Sequence, residues 1–351
     1  MRGIVVFCWL GFAVSASGVE WEVRVEGLME ELMDVQRVPG VSLAVVEDGK
    51  LAWERGFGVA DLENSVPATE KTVYRFGAIS KALTGVAAMK LVEEGKLDLD
   101  RPVGEIVRSW PKKHSPLTVR QLLGHTSGVR HYLPLEIYRT MHFQNLESAL
   151  SIFKDDVLLS LPGENYRYST YGFTLAGRVM EVVSGEPFMK VLGRTVLEPS
   201  GTVSLRQDEV AAIIPHRAPG YVWAGRSYLN STLSDTSYKT PGEGLCGTAG
   251  DLGKFAVALM GGKLISAESK QKMWTAQTLA DGRGTQYGLG WRVAEYQGRL
   301  EVSHGGGQQR VSTFLAMLPG EKVAVALLCN LEKVRLEGLA WVIVRTVLGE
   351  E

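Results

Sequence analysis

The sequence predicts an α+β fold in which one antiparallel sheet is assembled from both ends of the chain and covered by terminal helices. A mainly helical subdomain is inserted between the two halves of that sheet. Residues 41–57 are two apolar-rich runs separated by Asp48-Gly49, the pattern of a β-hairpin. Residues 78–200 show mostly helical periodicity. Residues 288–330 are four short apolar runs bounded by glycine or proline turn signals, and pairing them with the hairpin gives one sheet.

Helical patterns dominate the first half of the chain. Residues 19–38 carry apolar side chains at helical spacing, which indicates a surface helix laid on the sheet. A second helix is expected over residues 78–95, and its apolar residues are numerous enough to bury it nearly all round. A short helix capped by Thr118 and a longer one over residues 169–184 follow.

The second half begins with an irregular stretch. Residues 201–247 are polar and broken by prolines, a composition that suits loops beside a cleft and plain surface loops equally. Thr248 is expected to cap a helix that reaches residue 260. The remaining predicted elements are strands over 288–294, 300–303, 312–318 and 323–330 and a final helix over 336–348.

The amino-terminal residues 1–18 have the features of a signal peptide. A short positive start precedes an apolar run too short to cross a bilayer, and small residues follow it. We therefore expect an exported protein, periplasmic or secreted, with no membrane span once the signal is removed. An uncleaved amino-terminal anchor is the less favoured alternative. The remaining chain, 19–351, is expected to be a single domain, with an α/β part over about 19–76 and 248–351 and a helical and loop insertion over about 77–247.

Composition argues against several classes of function. The chain has 38 basic and 39 acidic residues, a net charge of −1, and no block of like charge, which disfavours nucleic-acid binding. Cys246 and Cys329 are the cysteines beyond the signal, and they are expected to be buried free thiols rather than a disulfide framework. Neither a Cys-x-x-Cys nor a His-Glu-x-x-His pattern occurs, so no metal or other cofactor is expected.

The helix predicted over residues 78–95 begins Ala78-Ile79-Ser80-Lys81. Residues three apart on a helix lie on one face, so the side chain at position 78 is expected beside the Lys81 amine. A hydroxyl is a weak nucleophile until a positioned base takes its proton, and a hydroxyl at position 78 would have such a base next to it. The sequence places a methyl group there instead.

Three stretches together resemble the serine β-lactamase-like and penicillin-binding protein superfamily, which includes class C β-lactamases, D-alanyl-D-alanine peptidases and esterases. Residues 74–81 resemble the Ser-x-x-Lys helix start, with Ala78 at the serine position. Residues 168–172, Tyr-Ser-Thr-Tyr-Gly, stand in the place of Tyr-x-Asn. Residues 304–307, His-Gly-Gly-Gly, stand in the place of the Lys-Thr-Gly strand motif. Residues 122–132 most resemble the branch that includes the mitochondrial β-lactamase-like protein.

The resemblance implies a β-lactamase/transpeptidase fold and a role for each matching residue. Lys81 and Tyr168 would shuttle the proton of the nucleophile, and the backbone N–H of Ala78 would be one oxyanion donor. A backbone amide close to Gly307 would be the second donor. Thr170 would contact ligand and is also expected to cap its helix. His304, with Gly305 and Gly306, would form the cleft wall and help to position a substrate carboxylate or the tyrosine.

Two functions follow from these residues. The first is a β-lactamase-related protein deficient in acyl-enzyme chemistry that binds a peptide, a peptidoglycan-type fragment, a small ester or amide, or a protein partner. The second is an active serine hydrolase of peptidase, esterase or β-lactamase type that uses Ser80 or an activated water. Ser80 is turned about 100° from Lys81 on an ideal helix, so we expect it to be a packing or capping hydroxyl.

Overall fold

A computed structural model of the protein describes residues 18–112, 114 and 116–350. The predicted signal peptide lies outside the described residues apart from Gly18, where the first helix begins. Within these ranges no helix combines the length and the apolar character needed to cross a bilayer. The helices are α1 Gly18–Gln36, α2 Ser80–Glu93, α3 Val103–Ile106, α4 Val119–Leu123, α5 Leu146–Ala149, α6 Thr170–Ser184, α7 Phe188–Leu192, α8 Glu198–Ser200, α9 Thr240–Glu243, α10 Ala249–Met260, α11 Ala267–Met273 and α12 Glu337–Val347.

One seven-stranded antiparallel sheet organises the described chain. Its order is β3-β2-β1-β12-β11-β10-β9, so the amino-terminal hairpin lies directly beside the last strand, with Val41 opposite Cys329. The α+β prediction, with a sheet drawn from both chain ends, is confirmed. The strands are β1 Gly40–Glu47, β2 Lys50–Asp61, β3 Val66–Pro67, β4 Tyr74–Arg75, β5 Arg206–Gln207, β6 Tyr221–Trp223, β7 Tyr228–Asn230, β8 Leu245–Gly247, β9 Arg292–Tyr296, β10 Arg299–Gln308, β11 Val311–Leu318 and β12 Val323–Cys329.

Helices cover both faces of the sheet. Helices α1 and α12 pack together on one face, where Val25, Val325 and Val344 are among the residues of a buried apolar core. Helix α10 packs on β1 and β12 from the other face. There a second core joins the sheet to the helices of the insertion, and α2 lies in it with nearly all of its residues buried. The terminal helices therefore cover the sheet as the sequence predicts.

Local sequence signals position several elements correctly. Asp48 and Gly49 both have positive φ values, +50° and +72°, as the tight turn between β1 and β2 requires. Thr118 accepts a hydrogen bond from the backbone N–H of Gln121, whose side chain in turn accepts one from the Thr118 N–H. Thr248 accepts from the N–H of Asp251 at the start of α10. The predicted hairpin and both predicted caps are confirmed.

The strand predicted over residues 288–294 is wrong in its first half, because β9 begins only at Arg292. The preceding residues instead pack tightly against α2. A Cβ placed on Gly85 would clash with the carbonyl oxygen of Leu289, and one on Gly290 would lie 2.6 Å from the carbonyl oxygen of Lys81. Short strands β5 to β8 also lie in the stretch that the sequence indicates only as irregular.

The strand β10 is longer than the predicted 300–303 and continues through the glycine run to Gln308. Gly305, Gly306 and Gly307 lie opposite Phe314, Thr313 and Ser312 in the ladder with β11. Glycine is ordinarily weak in a strand, and such runs mark places where another backbone approaches closely. Here the approaching backbone is that of the turn before α2.

We predict that Gly85→Ala lowers the free energy of unfolding by about 1–3 kcal/mol, because the added methyl overpacks the contact between α2 and Leu289. This loss is expected although alanine favours a helix by roughly 1 kcal/mol over glycine. Gly104→Ala is the matched control, since a Cβ there meets only an ordinary contact with Trp110. Urea denaturation midpoints measure both effects, and equal stability of the two variants would contradict the prediction.

Candidate active site

The candidate site begins at a 3-10 turn over Gly77–Ile79 that leads into α2. The glycine run of β10 lies directly against this turn, and a Cβ on Gly306 would clash with the carbonyl oxygen of Phe76. Thr313 reinforces the contact, because its hydroxyl donates a 2.8 Å hydrogen bond to that same carbonyl. The turn and the central sheet therefore form one rigid wall of the site.

Ala78 occupies the middle of this turn and is only 5% exposed. Lys81 lies in the first turn of α2, and side chains three residues apart share one face both in a 3-10 turn and in an α-helix. The methyl of Ala78 and the side chain of Lys81 therefore leave the backbone on the same face. The helix starts two residues later than the sequence predicts, and the shared face is kept.

The hydroxyl of Ser80 has two partners and no exposed surface. It donates a 2.8 Å hydrogen bond to the carbonyl of Gly77 and accepts a 3.3 Å hydrogen bond from the N–H of Leu245 in β8. Its hydroxyl thus joins the turn to the neighbouring three-stranded sheet.

Lys81 is completely buried and its ammonium group has several partners. Nζ donates hydrogen bonds to the Thr170 hydroxyl at 3.0 Å and to the Gly242 carbonyl at 3.2 Å. It lies 3.5 Å from a carboxylate oxygen of Glu243 and 4.8 Å from the centre of the Tyr168 ring. Burial lowers the pKa of Lys81 to about 8, although the Glu243 charge acts to raise it.

Glu243 and Lys239 are site residues that the sequence reading missed. Oε2 of Glu243 lies 2.8 Å from Nζ of Lys239, and Oε1 accepts a 2.8 Å hydrogen bond from Thr170. Burial alone would raise the pKa of Glu243, but the positive charges of Lys239 and Lys81 hold it at about 2. A lysine four residues before a glutamate ordinarily indicates an exposed helical pair, so the sequence carried no signal for this site.

Thr170 is placed between Lys81 and Glu243 and is fully buried. Its hydroxyl accepts from the amine and donates to the carboxylate, so both of its hydrogen-bonding functions are used within the protein. The expectation that Thr170 caps α6 is wrong. Ser169 is the cap, and its hydroxyl accepts from the N–H of Gly172. Ser169 has the extended backbone of a cap, whereas Thr170 is already helical.

Tyr168 presents its ring, rather than its hydroxyl, to the Lys81 ammonium group. Among the residues that the structure describes, the hydroxyl has no hydrogen-bond partner. The ring also packs against His125, with centroids 4.4 Å apart. Burial, followed by the nearby charge of Glu243, raises the pKa of Tyr168 well above its ordinary value. The phenol is therefore neutral, with its oxygen free to meet a ligand.

His304 is buried and held at both ring nitrogens. Nδ1 lies 2.8 Å from the carbonyl oxygen of Gly305, which can only accept, so Nδ1 is the donor. Nε2 then accepts from the Tyr287 hydroxyl at 2.7 Å. Burial, reinforced by the charge of Lys81, lowers the pKa of His304 to about 3. The imidazole is neutral at physiological pH and offers no positive charge to a substrate carboxylate.

A cleft with a volume of about 690 Å³ opens beside these groups. Ala78 and Lys81 do not line it. Arg292 does, and its guanidinium is paired at 2.8 Å with Glu337 while both side chains remain about half exposed. The lining residues are Tyr166, Tyr168, Tyr287, Arg292, His304, Gly305, Gly306, Thr313, Phe314 and residues 334–338.

Comparison with known proteins agrees with this architecture. The model of the beta-lactamase family matches residues 25–347. The chain belongs to the beta-lactamase family. Within it, the serine beta-lactamase-like protein LACTB of human mitochondria is 28% identical over 89% of this chain and 77% of its own length. Protein flp of Staphylococcus aureus is 24% identical over 88% of this chain and 63% of its own length.

Solved structures of beta-lactamase-like proteins superpose over nearly the whole chain. The octameric penicillin-binding protein homologue from Pyrococcus abyssi has a TM-score of 0.80 at 26% identity. The superposition covers 94% of this chain and 78% of the homologue's chain. The D-amino acid amidase from Ochrobactrum anthropi has a TM-score of 0.81 at 21% identity. The superposition covers 94% of this chain and 98% of the amidase chain. The β-lactamase/transpeptidase fold implied by the sequence motifs is thereby confirmed.

We predict that Glu243→Gln costs about 3–5 kcal/mol of unfolding free energy at pH 7, because two buried ammonium groups lose their carboxylate. The pKa of Glu243 falls from 4.5 to about 2 on folding. Its stabilisation is therefore complete above pH 4.5 and is lost as the pH falls through 2. The difference between the two proteins should narrow over that interval.

Urea denaturation at several pH values measures this difference. Glu295→Gln is the control, because that carboxylate is exposed. A penalty for Glu243→Gln that stays constant between pH 7 and pH 2 would show that the carboxylate does not compensate the two amines.

Proposed function

We propose that this β-lactamase-family protein is exported and binds a peptide, a cell-wall-type fragment or a protein partner in its cleft without forming an acyl-enzyme. The observation that carries the proposal is the methyl group of Ala78 on the face of the turn from which Lys81 also projects. Export is proposed from residues 1–18 alone, and mass spectrometry of the mature amino terminus after expression in a secreting host tests it.

The missing hydroxyl has a large kinetic cost. Removing the serine nucleophile from a serine hydrolase lowers turnover by roughly a factor of a million. What remains of the apparatus is electrostatic, namely the backbone N–H of Ala78 beside β10 and the buried amine of Lys81. Donors of this kind stabilise a developing oxyanion but form no bond with the substrate carbonyl.

Ser80 is a poor substitute for the missing nucleophile. Its hydroxyl is buried and hydrogen-bonded to the Gly77 carbonyl and the Leu245 N–H, so attack on a substrate requires both bonds to break. The Lys81 amine is likewise enclosed by Thr170 and the Gly242 carbonyl. These contacts favour the binding function over a hydrolase that works through Ser80 or an activated water.

The cleft has features suited to a peptide-like ligand with a free carboxylate. Three tyrosine rings line it, at Tyr166, Tyr168 and Tyr287, and Arg292 supplies a cation at its rim. A ligand carboxylate can replace Glu337 on that guanidinium with little loss, because exposed ion pairs contribute about 1 kcal/mol or less. Among structural relatives, the Ochrobactrum amidase has been solved in complex with D-phenylalanine, and another relative is the penicillin-binding protein from Bacillus halodurans.

We predict that the protein forms no covalent adduct with a fluorescent penicillin or a fluorophosphonate, and that Ala78→Ser creates one. The new hydroxyl would leave the turn on the same face as Lys81, whose pKa of about 8 leaves a large fraction of neutral amine near pH 8. Gel fluorescence and intact mass measure the labelling.

Two variants sharpen this experiment. Lys81→Met added to Ala78→Ser should abolish labelling, since the proton acceptor is lost. Ser80→Ala added to Ala78→Ser should leave the labelling unchanged. Labelling of the unmodified protein that disappears on Ser80→Ala would establish the hydrolase function instead. An unlabelled Ala78→Ser variant of normal fold would mean that the remaining groups no longer support acyl transfer.

We further predict that Arg292→Met weakens binding of a short peptide ending in D-alanyl-D-alanine by about fivefold, because an ion pair on this half-exposed guanidinium contributes about 1 kcal/mol. Arg226→Met is the matched control, since Arg226 is exposed and does not line the cleft. Isothermal titration calorimetry measures both dissociation constants. Equal weakening of peptide binding by the two substitutions would show that Arg292 does not contact the peptide.

A further inference from the structure

A second, smaller cavity adjoins the cleft and has no part in the function proposed above. Its volume is about 430 Å³, and it shares the side chains of Tyr166, Tyr287 and Arg292 with the cleft. A ligand that lies against this shared wall in the cleft can therefore extend into the side cavity. The residues that line the side cavity and not the cleft are Asn165, Leu279, Arg283, Gly284, Thr285 and Gln286.

The side cavity is built on a tight turn that is held by backbone hydrogen bonds. The N–H of Leu279 donates a 2.8 Å hydrogen bond to the carbonyl of Arg283, which closes the turn. The N–H of Ala280 donates to the carbonyl of Gly163 at 2.9 Å, which ties the turn to the loop that leads to α6. Arg283 therefore projects from a fixed piece of backbone.

Asp281 engages Arg283 in a way that leaves donors free. One carboxylate oxygen of Asp281 lies 2.6 Å from Nε of Arg283, and the other accepts a 3.0 Å hydrogen bond from the Arg283 backbone N–H. In the described part of the chain the two terminal nitrogens of Arg283 have no hydrogen-bond partner. Two guanidinium nitrogens match the geometry of a carboxylate. Arg283 is thus oriented by one acid and is still able to bind a second.

The side cavity is positively charged. Two guanidinium groups line it, those of Arg283 and Arg292, and none of its described lining residues carries a carboxylate. Arg283 is paired with Asp281 and Arg292 with Glu337, and all four side chains are about half exposed or more. The whole chain has a net charge of −1, so this positive charge is a local feature. Clefts lined by charge of one sign concentrate ligands of the opposite sign.

The remaining walls supply neutral hydrogen-bonding groups. The side-chain amides of Asn165 and Gln286 have no hydrogen-bond partner among the described residues, and the same holds for the Tyr166 hydroxyl. Burial raises the pKa of Tyr166 to about 12, so its hydroxyl is a donor at neutral pH. Free amides and hydroxyls can pair with the backbone of a peptide as well as with a carboxylate.

The separation of the two arginines suits a short peptide. Tyr287 lies opposite Arg292 in a β-bridge, and Arg283 precedes Tyr287 by four residues. Those four residues extend over about 14 Å at most, since a chain spans no more than about 3.6 Å per residue. An extended peptide advances about 3.3 Å per residue. A side chain two or three residues before the terminal residue of the peptide is therefore within reach of Arg283.

We propose that the side cavity is a subsite for an acidic side chain. The ligand of the cleft is then a peptide with a side-chain carboxylate two or three residues before its carboxyl-terminal residue. Its terminal carboxylate lies at Arg292, and its side-chain carboxylate accepts hydrogen bonds from the terminal nitrogens of Arg283. This inference rests on the proposed binding function and adds a specificity to it. Because Arg283 is exposed, the gain in affinity is modest, up to about fivefold.

Paired peptides test the proposal by isothermal titration calorimetry. Each peptide ends in D-alanyl-D-alanine and carries either glutamate or glutamine at the third or the fourth residue from its carboxyl end. The unmodified protein should bind the glutamate peptide about fivefold more tightly than its glutamine counterpart at one or both positions. Arg283→Met should abolish this preference. Arg335→Met should keep it, because Arg335 is an exposed arginine that lines the cleft and not the side cavity.

A second pair of variants changes the charge of the side cavity. A Cβ on Gly284 would meet no atom within 4 Å, so a side chain is accommodated there without a clash. Gly284→Glu should abolish the preference for the glutamate peptide, because the new carboxylate pairs with Arg283 and repels that of the ligand. Gly284→Gln has nearly the same size and no charge, and it should retain the preference.

The outcomes separate this proposal from the one on which it rests. Glutamine peptides that bind and are weakened by Arg292→Met, without any gain from glutamate, would refute the acidic subsite and leave the binding function intact. A glutamate preference that survives Arg283→Met would also refute the subsite, since the carboxylate would then be recognised elsewhere. If none of the peptides binds the unmodified protein, the binding function itself is wrong, and the subsite with it.

Discussion

The buried carboxylate of Glu243 is the interaction on which the site depends. It holds the ammonium groups of Lys81 and Lys239 inside the protein, and the hydroxyl of Thr170 links it to the first of them. Without this carboxylate, two charges would be desolvated without compensation, which is among the most expensive defects a core can contain. Helices α2, α6 and α9 meet here, so the same ionic contact that opposes the lowering of the Lys81 pKa by burial also fixes how the helical insertion packs.

Around that contact, we propose, lies the frame of a serine hydrolase site that lacks the nucleophile oxygen. The glycine run of β10 still lies against the turn that carries Ala78. The Lys81 amine still leaves the helix on the same face, and the rings of Tyr168 and Phe173 lie 4.8 and 5.5 Å from it. Each of these features would be retained by a protein that needs a shaped cleft. None of them requires that a bond be made there.

Sequence reasoning succeeds here where structure is set locally. The Asp48-Gly49 turn and the caps at Thr118 and Thr248 depend on a few neighbouring residues, and all three are as predicted. It fails where partners are distant along the chain. Glu243 meets Lys81 across 162 positions, and a glutamate in a proline-broken stretch gives no sign of that pairing.

The same limit explains the other misses. Gly288 and Gly290 resemble a strand start, yet glycine is required at both positions because other backbone lies close to them, that of Met273 in α11 at Gly288 and that of Lys81 in α2 at Gly290. His304 stands in the place of the lysine of the Lys-Thr-Gly motif, but burial and the nearby charge of Lys81 keep it neutral by lowering its pKa. Motif positions can be read from a sequence, whereas the charge of a buried group depends on everything folded around it.

The pairing of β1 with β12 has a consequence for how the protein is made. Val41 finds its partner Cys329 only near the end of the chain, so the central sheet stays open while the ribosome is still producing the insertion. Contacts between such distant residues slow folding, and the exposed edge of the early hairpin is a site for aggregation in the meantime. The sheet therefore cannot be completed before β12 has been synthesised, and a product truncated ahead of β12 would present an unpaired strand to chaperones and proteases.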